Sequence, residues 1–88
     1  MKNFFMVERS VFDLKLSPHC FMVYMFLKSS SNRDSKECWP SLNTIARKTG
    51  VSRSTVEKAI GILKSQNLIT VKNRTKDNHK ISNMYTVK

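Results

Sequence analysis

The stretch Ser41–Gln66, reading SLNTIARKTGVSRSTVEKAIGILKSQ, leaves little freedom in how this chain can fold. Ser41 is a good N-cap, because its hydroxyl can accept from an orphan backbone N–H at a helix start. Ile45 and Ala46 fall on one side of the helix it opens, and Ala46 is small enough for a second helix to cross closely. Gly50 suits the left-handed residue that ends a helix, where a Cβ would clash. Val51 can then plug the gap, and Ser52 can cap a second helix. In that helix Val56, Ala59, Ile60 and Leu63 recur at i, i+3, i+4 and i+7, a single apolar stripe. Its opposite face carries Arg53, Ser54, Glu57, Lys58, Gly61 and Lys64.

Before this stretch, Ser17-Pro18 opens another helix. Serine caps it, and proline at the first helical position has no N–H to lose. It is expected to run to about Ser29. Its centre, CFMVYMFL, is apolar all round, as in a core helix, or in a core helix that also forms a dimer interface. Upstream, Phe4-Phe5-Met6-Val7 and Val11-Phe12 read as short extended pieces around a polar Glu8-Arg9-Ser10 turn, so residues 1–14 form an N-terminal arm. Residues 29–37 read as a polar loop. Cys38-Trp39 reads as a very short strand that Pro40 ends. Trp39 can be a lid on the core or face DNA, and the lid is the expectation, since one buried tryptophan can anchor a small core.

After the second helix of the pair, Asn67 suits a left-handed cap. Leu68-Ile69-Thr70-Val71 reads as a strand, Lys72–Lys80 as a basic, turn-rich tip, and Ile81–Val87 as a returning strand anchored by Met84 and Tyr85. The chain is therefore expected to be one domain over residues 1–88, mainly α with a small antiparallel β-hairpin. It would have three helices, a helix pair at 41–66 and a hairpin wing at 68–87.

Composition narrows the partners. The 88 residues suit one modest core and leave no room for a catalytic cleft on a second domain. Net charge is +10, and it is unevenly placed. Residues 45–88 hold ten basic and two acidic residues; residues 1–44 hold six and four. The excess thus accompanies the helix pair and the hairpin, which suits a polyanion, nucleic acid before an acidic membrane. Cys20 and Cys38 are too sparse for a disulfide scaffold and read as reduced cytoplasmic thiols. With His19 and His79 they show no zinc-site spacing. The apolar runs Phe4–Val7 and Cys20–Leu27 are too short for a signal peptide or a membrane span. The carboxylates Glu8, Asp13, Asp34, Glu37, Glu57 and Asp77 are scattered, and no phosphate loop, nucleophile motif or metal cluster is present. The expectation is a non-enzyme without cofactor, metal or small-molecule ligand.

Cys38-Trp39-Pro40-Ser41, Ile45-Ala46, Gly50–Val56, Leu63, Leu68-Ile69 and Ser82–Tyr85 together resemble the winged helix-turn-helix domains of bacterial, plasmid and phage proteins. The pattern is similar to the small helix-turn-helix domain of phage and plasmid replication proteins and to the DNA-binding half of GntR-type regulators. It covers about residues 15–87. The resemblance implies a site-specific binder of double-stranded DNA in the bacterial cytoplasm or nucleoid. It would serve as a transcription regulator or as a replication or mobile-element accessory factor. A protein-interaction or oligomerisation module is the alternative, with a homodimer formed through the arm and helix 18–29. RNA binding is a weaker reading, because the aromatic residues look buried rather than laid out as a stacking platform.

The second helix of such a pair lies in the major groove while the first holds its angle. Ser52, Arg53, Ser54 and Thr55 stand at its start, where free N–H groups and the positive dipole end suit a phosphate. The resemblance makes Arg53 the leading contact, reading guanine O6 and N7 or gripping a phosphate. Ser52 is mainly a cap. Glu57 either accepts from a cytosine amino group or pairs with Arg53 or Lys64; Lys58 stands beside it. Gly61 costs helix stability and implies either a close approach, to DNA or another helix, or simple tolerance. Arg47 and Lys48 suit a helix C-terminus and can also reach phosphate. On the wing, Lys72, Arg74, Lys76 and Lys80 are expected at phosphates, with Arg74 or Lys76 entering the minor groove as the family-like variant.

Overall fold

The computed structural model describes residues 7–88. The first apolar piece, Phe4–Val7, lies almost wholly outside them. Arg9–Leu14 is a 3₁₀ helix, so the expectation of extended chain at Val11-Phe12 is corrected. In a three-residue repeat Val11 and Leu14 share one face. Val11 is buried and Leu14 packs against the core, an arrangement that an alternating strand would not give. Lys15, at φ 56°, ends the turn.

Helix α1 spans Pro18–Ser30, one residue beyond the expected end. Ser17 caps it by accepting from the Cys20 N–H at 3.3 Å. Cys20, Val23, Tyr24 and Leu27 form its buried stripe. The Ser31 hydroxyl donates to the Leu27 carbonyl at 2.6 Å, which helps to close the last turn. Asn32 Oδ1 then accepts from the N–H groups of Asp34 and Ser35, ordering the polar loop. Strand β1 is Glu37–Cys38, one residue earlier than expected. Cys38 takes the inward place and is buried, so alternation turns Trp39 outward, where it is 46% exposed. The expected core lid is thus corrected to a surface residue.

Helices α2 (Leu42–Thr49) and α3 (Arg53–Ser65) form the expected pair. Ser41 accepts from Thr44 N–H and Ser52 from Thr55 N–H, so each helix has its serine cap. Gly50 is left-handed at φ 73° and its N–H donates to the Ala46 carbonyl at 2.9 Å. Val51 is buried between the helices. Val56, Ala59 and Leu63 are buried on α3, with Ile60 partly so. Asn67, at φ 60°, lets the chain leave α3. The Leu68 N–H returns to the Leu63 carbonyl at 3.0 Å.

Strands β2 (Ile69–Lys76) and β3 (His79–Val87) form an antiparallel hairpin. The sheet order is β1-β3-β2, so the sheet has three strands with β3 in the centre. The expected long basic tip is corrected: only Asp77-Asn78 turns, both left-handed. Two left-handed residues match the twist of the flanking strands, so the ladder continues to the turn. The ladder slips once. Lys72 pairs with Met84 and Arg74 with Ile81, so β3 takes three steps where β2 takes two. Tyr85 and Val87 are buried, whereas Met84 is only half-buried because it points to the other face.

The fold is mainly helical, with a three-stranded antiparallel sheet and the topology of a winged helix-turn-helix. Among the described residues no charged side chain is buried, and no helix is long and apolar enough to cross a membrane.

The two glycines test this account with opposite signs. Gly50→Ala places a Cβ on a left-handed residue and should destabilise the fold by about 1–2 kcal/mol. Gly61 has ordinary helical geometry, and beyond its own turn of helix no atom of the described residues lies within 4 Å of where its Cβ would stand. Gly61→Ala should therefore stabilise by about 1 kcal/mol. Urea denaturation of both variants gives the two values.

Candidate nucleic-acid interface

The capped start of α3 positions the first group of side chains. The Ser52 hydroxyl is engaged within its own turn, accepting from Thr55 N–H, donating to Thr55 Oγ1 at 2.9 Å and lying 3.4 Å from Ser54 Oγ. Arg53 and Ser54 are exposed beside it, and Thr55 is half-buried. Arg53 is held from two sides. Its Nη1 donates to Asn43 Oδ1 at 3.3 Å, and its Nε lies 3.7 Å from Glu57 Oε1. Glu57 thus adopts one of the pairings open to it in the sequence. Asn43 stands in the first turn of α2, so this contact ties together the two helix starts.

The outer face of α3 is open. Glu57, Lys58, Gly61 and Lys64 are exposed, opposite the buried stripe. The clear space at Gly61 shows that no neighbouring helix requires glycine there. Arg47 and Lys48 occupy the last turn of α2, at the negative end of its dipole. Both are exposed. Arg53–Glu57 is the only ion pair among the described residues, so neither has an acidic partner there.

The wing cations lie along strands rather than in a loop. Lys72 and Lys76 are exposed on β2. Lys80 stands opposite Thr75 on β3. Arg74 differs from them. It is half-buried, and its Nε donates to the Ser82 carbonyl at 2.7 Å, at the slip in the ladder. Its guanidinium lies over the Trp39 ring, 6.0 Å from the centroid.

A cleft of about 230 Å³ separates the helix pair from the wing. Pro40–Asn43 and Arg53 wall one side; Ile81–Asn83 and Tyr85 wall the other. Asn83 Oδ1 is shielded from solvent and has no hydrogen-bond partner among the described residues. The sequence reading did not single out Asn43 as a site residue. Its signal was an exposed amide one turn from a capped helix start, which in one dimension resembles any polar surface residue. The cleft wall was equally hidden, because strand pairing, not sequence proximity, brings residues 81–83 to Arg53.

Cys20 and Cys38 are unpaired and buried. Burial pushes both thiols up, and for Cys38 a hydrogen bond with Ser31 pulls partly the other way. They stay protonated near neutrality. Among the described residues, no three His, Cys, Asp or Glu side chains gather to hold a metal.

The model of the family described as "Helix-turn-helix domain" matches residues 14–69, well over half of the chain. The chain belongs to this family. It is a helix-turn-helix domain, with β2 and β3 as the wing. Three solved structures share the fold. A possible transcriptional regulator from Methanosarcina mazei Go1 is 15% identical, with a TM-score of 0.68 over 90% of this chain and 63% of that one. Bordetella bronchiseptica BpsR, described for the regulation of its DNA binding by 6-hydroxynicotinic acid, is 29% identical. Its TM-score is 0.59 over 86% of this chain and 48% of that one. The C30S mutant of Lactococcus lactis ZitR, in complex with DNA, is 22% identical, with a TM-score of 0.60 over 99% of this chain and 53% of that one. This chain therefore spans roughly half to two thirds of the length of these structures. No curated protein matches it in sequence.

The Arg53–Glu57 pair is more than half exposed at both ends. Such pairs contribute little to stability, so Glu57→Gln should shift the urea midpoint by less than about 0.5 kcal/mol in equivalent free energy.

Proposed function

We propose that this helix-turn-helix domain binds double-stranded DNA site-specifically and regulates transcription. The observation that carries the reading is the open outer face of α3. Its first exposed cation, Arg53, is already oriented by Asn43 and Glu57. In the proposed complex Arg53, with Ser54 and Thr55, enters the major groove. Glu57 and Lys58 follow one turn further in. Ser52 remains the cap that holds this start in shape. Arg47, Lys48, Lys72, Lys76 and Lys80 neutralise phosphates on either side. Arg74 is tied back to Ser82 and Trp39, which favours a role at the backbone over deep entry into the minor groove.

The regulatory role draws support from BpsR, a protein whose DNA binding is itself regulated. The matches lend no comparable support to a replication accessory role. Such a regulator would work in the cytoplasm or on the nucleoid. A second reading concerns assembly. Phe12 is 74% exposed and stacks on Phe21 at 5.4 Å, and Met22 on the outer side of α1 is 48% exposed. This apolar face favours a homodimer formed through the N-terminal arm and helix 18–29.

Selection from a randomised duplex pool tests the first reading, and an enriched motif is expected. An inverted repeat would fit a dimer and a single short motif a monomer. Salt-sensitive binding without enrichment would reduce the protein to a nonspecific binder. The expected slope of log K against log[salt] is about −4 to −6, from roughly five to seven neutralised phosphates. A slope near zero removes the mechanism. Arg53→Ala should cost about 1–3 kcal/mol on the selected site and less on random duplex. Equal losses would make Arg53 a phosphate contact. Sedimentation in the tens-of-micromolar range tests assembly, and a monomer there rules the homodimer out.

A further inference from the structure

Trp39 is the only tryptophan in the chain, and the core does not use it. It stands between the end of β1 and Pro40-Ser41, which lead into α2 and wall the cleft beside Arg53. Arg74 approaches from the far strand. β3 lies between β1 and β2, so the Arg74 side chain crosses the central strand to reach the indole. Its Nε is occupied by the Ser82 carbonyl, but its two terminal nitrogens have no partner among the described residues. A guanidinium held over an aromatic face at this distance and anchored through its Nε leaves its terminal N–H groups free for a partner, in the fork geometry that fits a phosphate.

We propose that Trp39 and Arg74 form a composite contact for the DNA backbone, between the helix pair and the wing. The indole packs on a deoxyribose, and the Arg74 terminal nitrogens bind the adjoining phosphate. This rests on the duplex-binding reading and adds to it a site outside the recognition helix. The occupant is chosen by charge and shape. The chain carries a net charge of +10, the free end of the Arg74 guanidinium suits an anion, and an exposed indole beside it suits a flat or apolar neighbour. A sugar-phosphate backbone offers both at the spacing of one nucleotide. The contact carries no base information, so it would fix the register of α3 on the duplex. It also assigns a purpose to the slip in the β2–β3 ladder, which puts the Ser82 carbonyl within reach of Arg74.

Because Trp39 is unique, tryptophan emission reports this ring alone. The test uses the full chain with a labelled duplex whose anisotropy reports binding independently. On duplex binding, Trp39 is expected to become protected from acrylamide, a neutral quencher. Trp39→Ala should weaken duplex binding by about five- to tenfold, the scale of one lost contact, without changing the salt slope. Arg74→Gln should lower the slope by about one. Trp39→Phe should recover part of the affinity. A purely structural tryptophan would show unfolding of Trp39→Ala but no protection in the wild-type protein, which overturns the proposal. Binding by anisotropy with Trp39 still fully open to acrylamide also overturns it while leaving the duplex-binding reading intact. No binding removes both. Protection by single-stranded DNA alone would mean base stacking and would overturn the duplex contact.

Discussion

The burial of the α3 stripe against α1 is the interaction on which the rest depends. Val56, Ala59 and Leu63 on one helix and Cys20, Val23 and Leu27 on the other are all buried. Ala59 and Cys20 are small, and the Cys20 thiol lies 3.8 Å from the Ala59 carbonyl, so the two helices approach closely. Fixing one face of α3 inward fixes the other outward. The polar face exists as a surface only because the apolar one is committed. A single residue of rotation would bury Glu57 or Arg53 without partners, at a cost of several kcal/mol. The functional face is thus specified by the hydrophobic one.

Two backbone positions convert that pairing into a defined angle. Gly50 turns the chain in the left-handed region, and Ser52 restarts it as a helix whose first N–H groups are partly satisfied. Val51 between them is buried, so the turn is packed as well as hydrogen-bonded. The Arg53–Asn43 hydrogen bond then spans the two helix starts at the surface. An exposed hydrogen bond of this kind adds little stability. Its effect is on Arg53, whose long side chain is held in fewer conformations before any partner arrives. Less of its rotamer entropy then remains to be lost on binding.

The helix pair was legible because it is written locally. Caps, a terminal glycine and a 3.6-residue stripe each act within a few positions, and together they exclude most alternatives. Helix α1 was legible for the same reason. Trp39 was misread because which of Cys38 and Trp39 faces inward is set by pairing with Thr86 and Tyr85, nearly fifty residues away. Val11-Phe12 was misread because two apolar residues fit a strand as well as a 3₁₀ turn until a neighbouring helix offers Phe21 as a partner. The wing tip was overestimated because Lys72–Lys80 contains many turn-forming residues. Only Asp77-Asn78 adopts the left-handed pair that a tight hairpin needs. Asn43 and the Ile81–Asn83 wall were hidden because they become a site only when the sheet and the helices meet.

The wing is joined to this framework through β3 rather than through the loop before it. β3 pairs with β1 at one edge and β2 at the other, and its C-terminal half supplies Tyr85 and Val87 to the core. Its N-terminal half leaves the core and shares the ribbon that carries Lys72, Lys76 and Lys80. One strand therefore belongs to both parts, so any tilt of the ribbon must strain the packing around Tyr85. The net charge of +10 works against this compactness, since nearly all the cations lack acidic partners among the described residues. Spreading them over α2, α3 and two strands keeps that repulsion low in the free protein. A polyanion that follows the same surface would relieve it at every point at once, and so the arrangement that costs the free domain stability would contribute to binding.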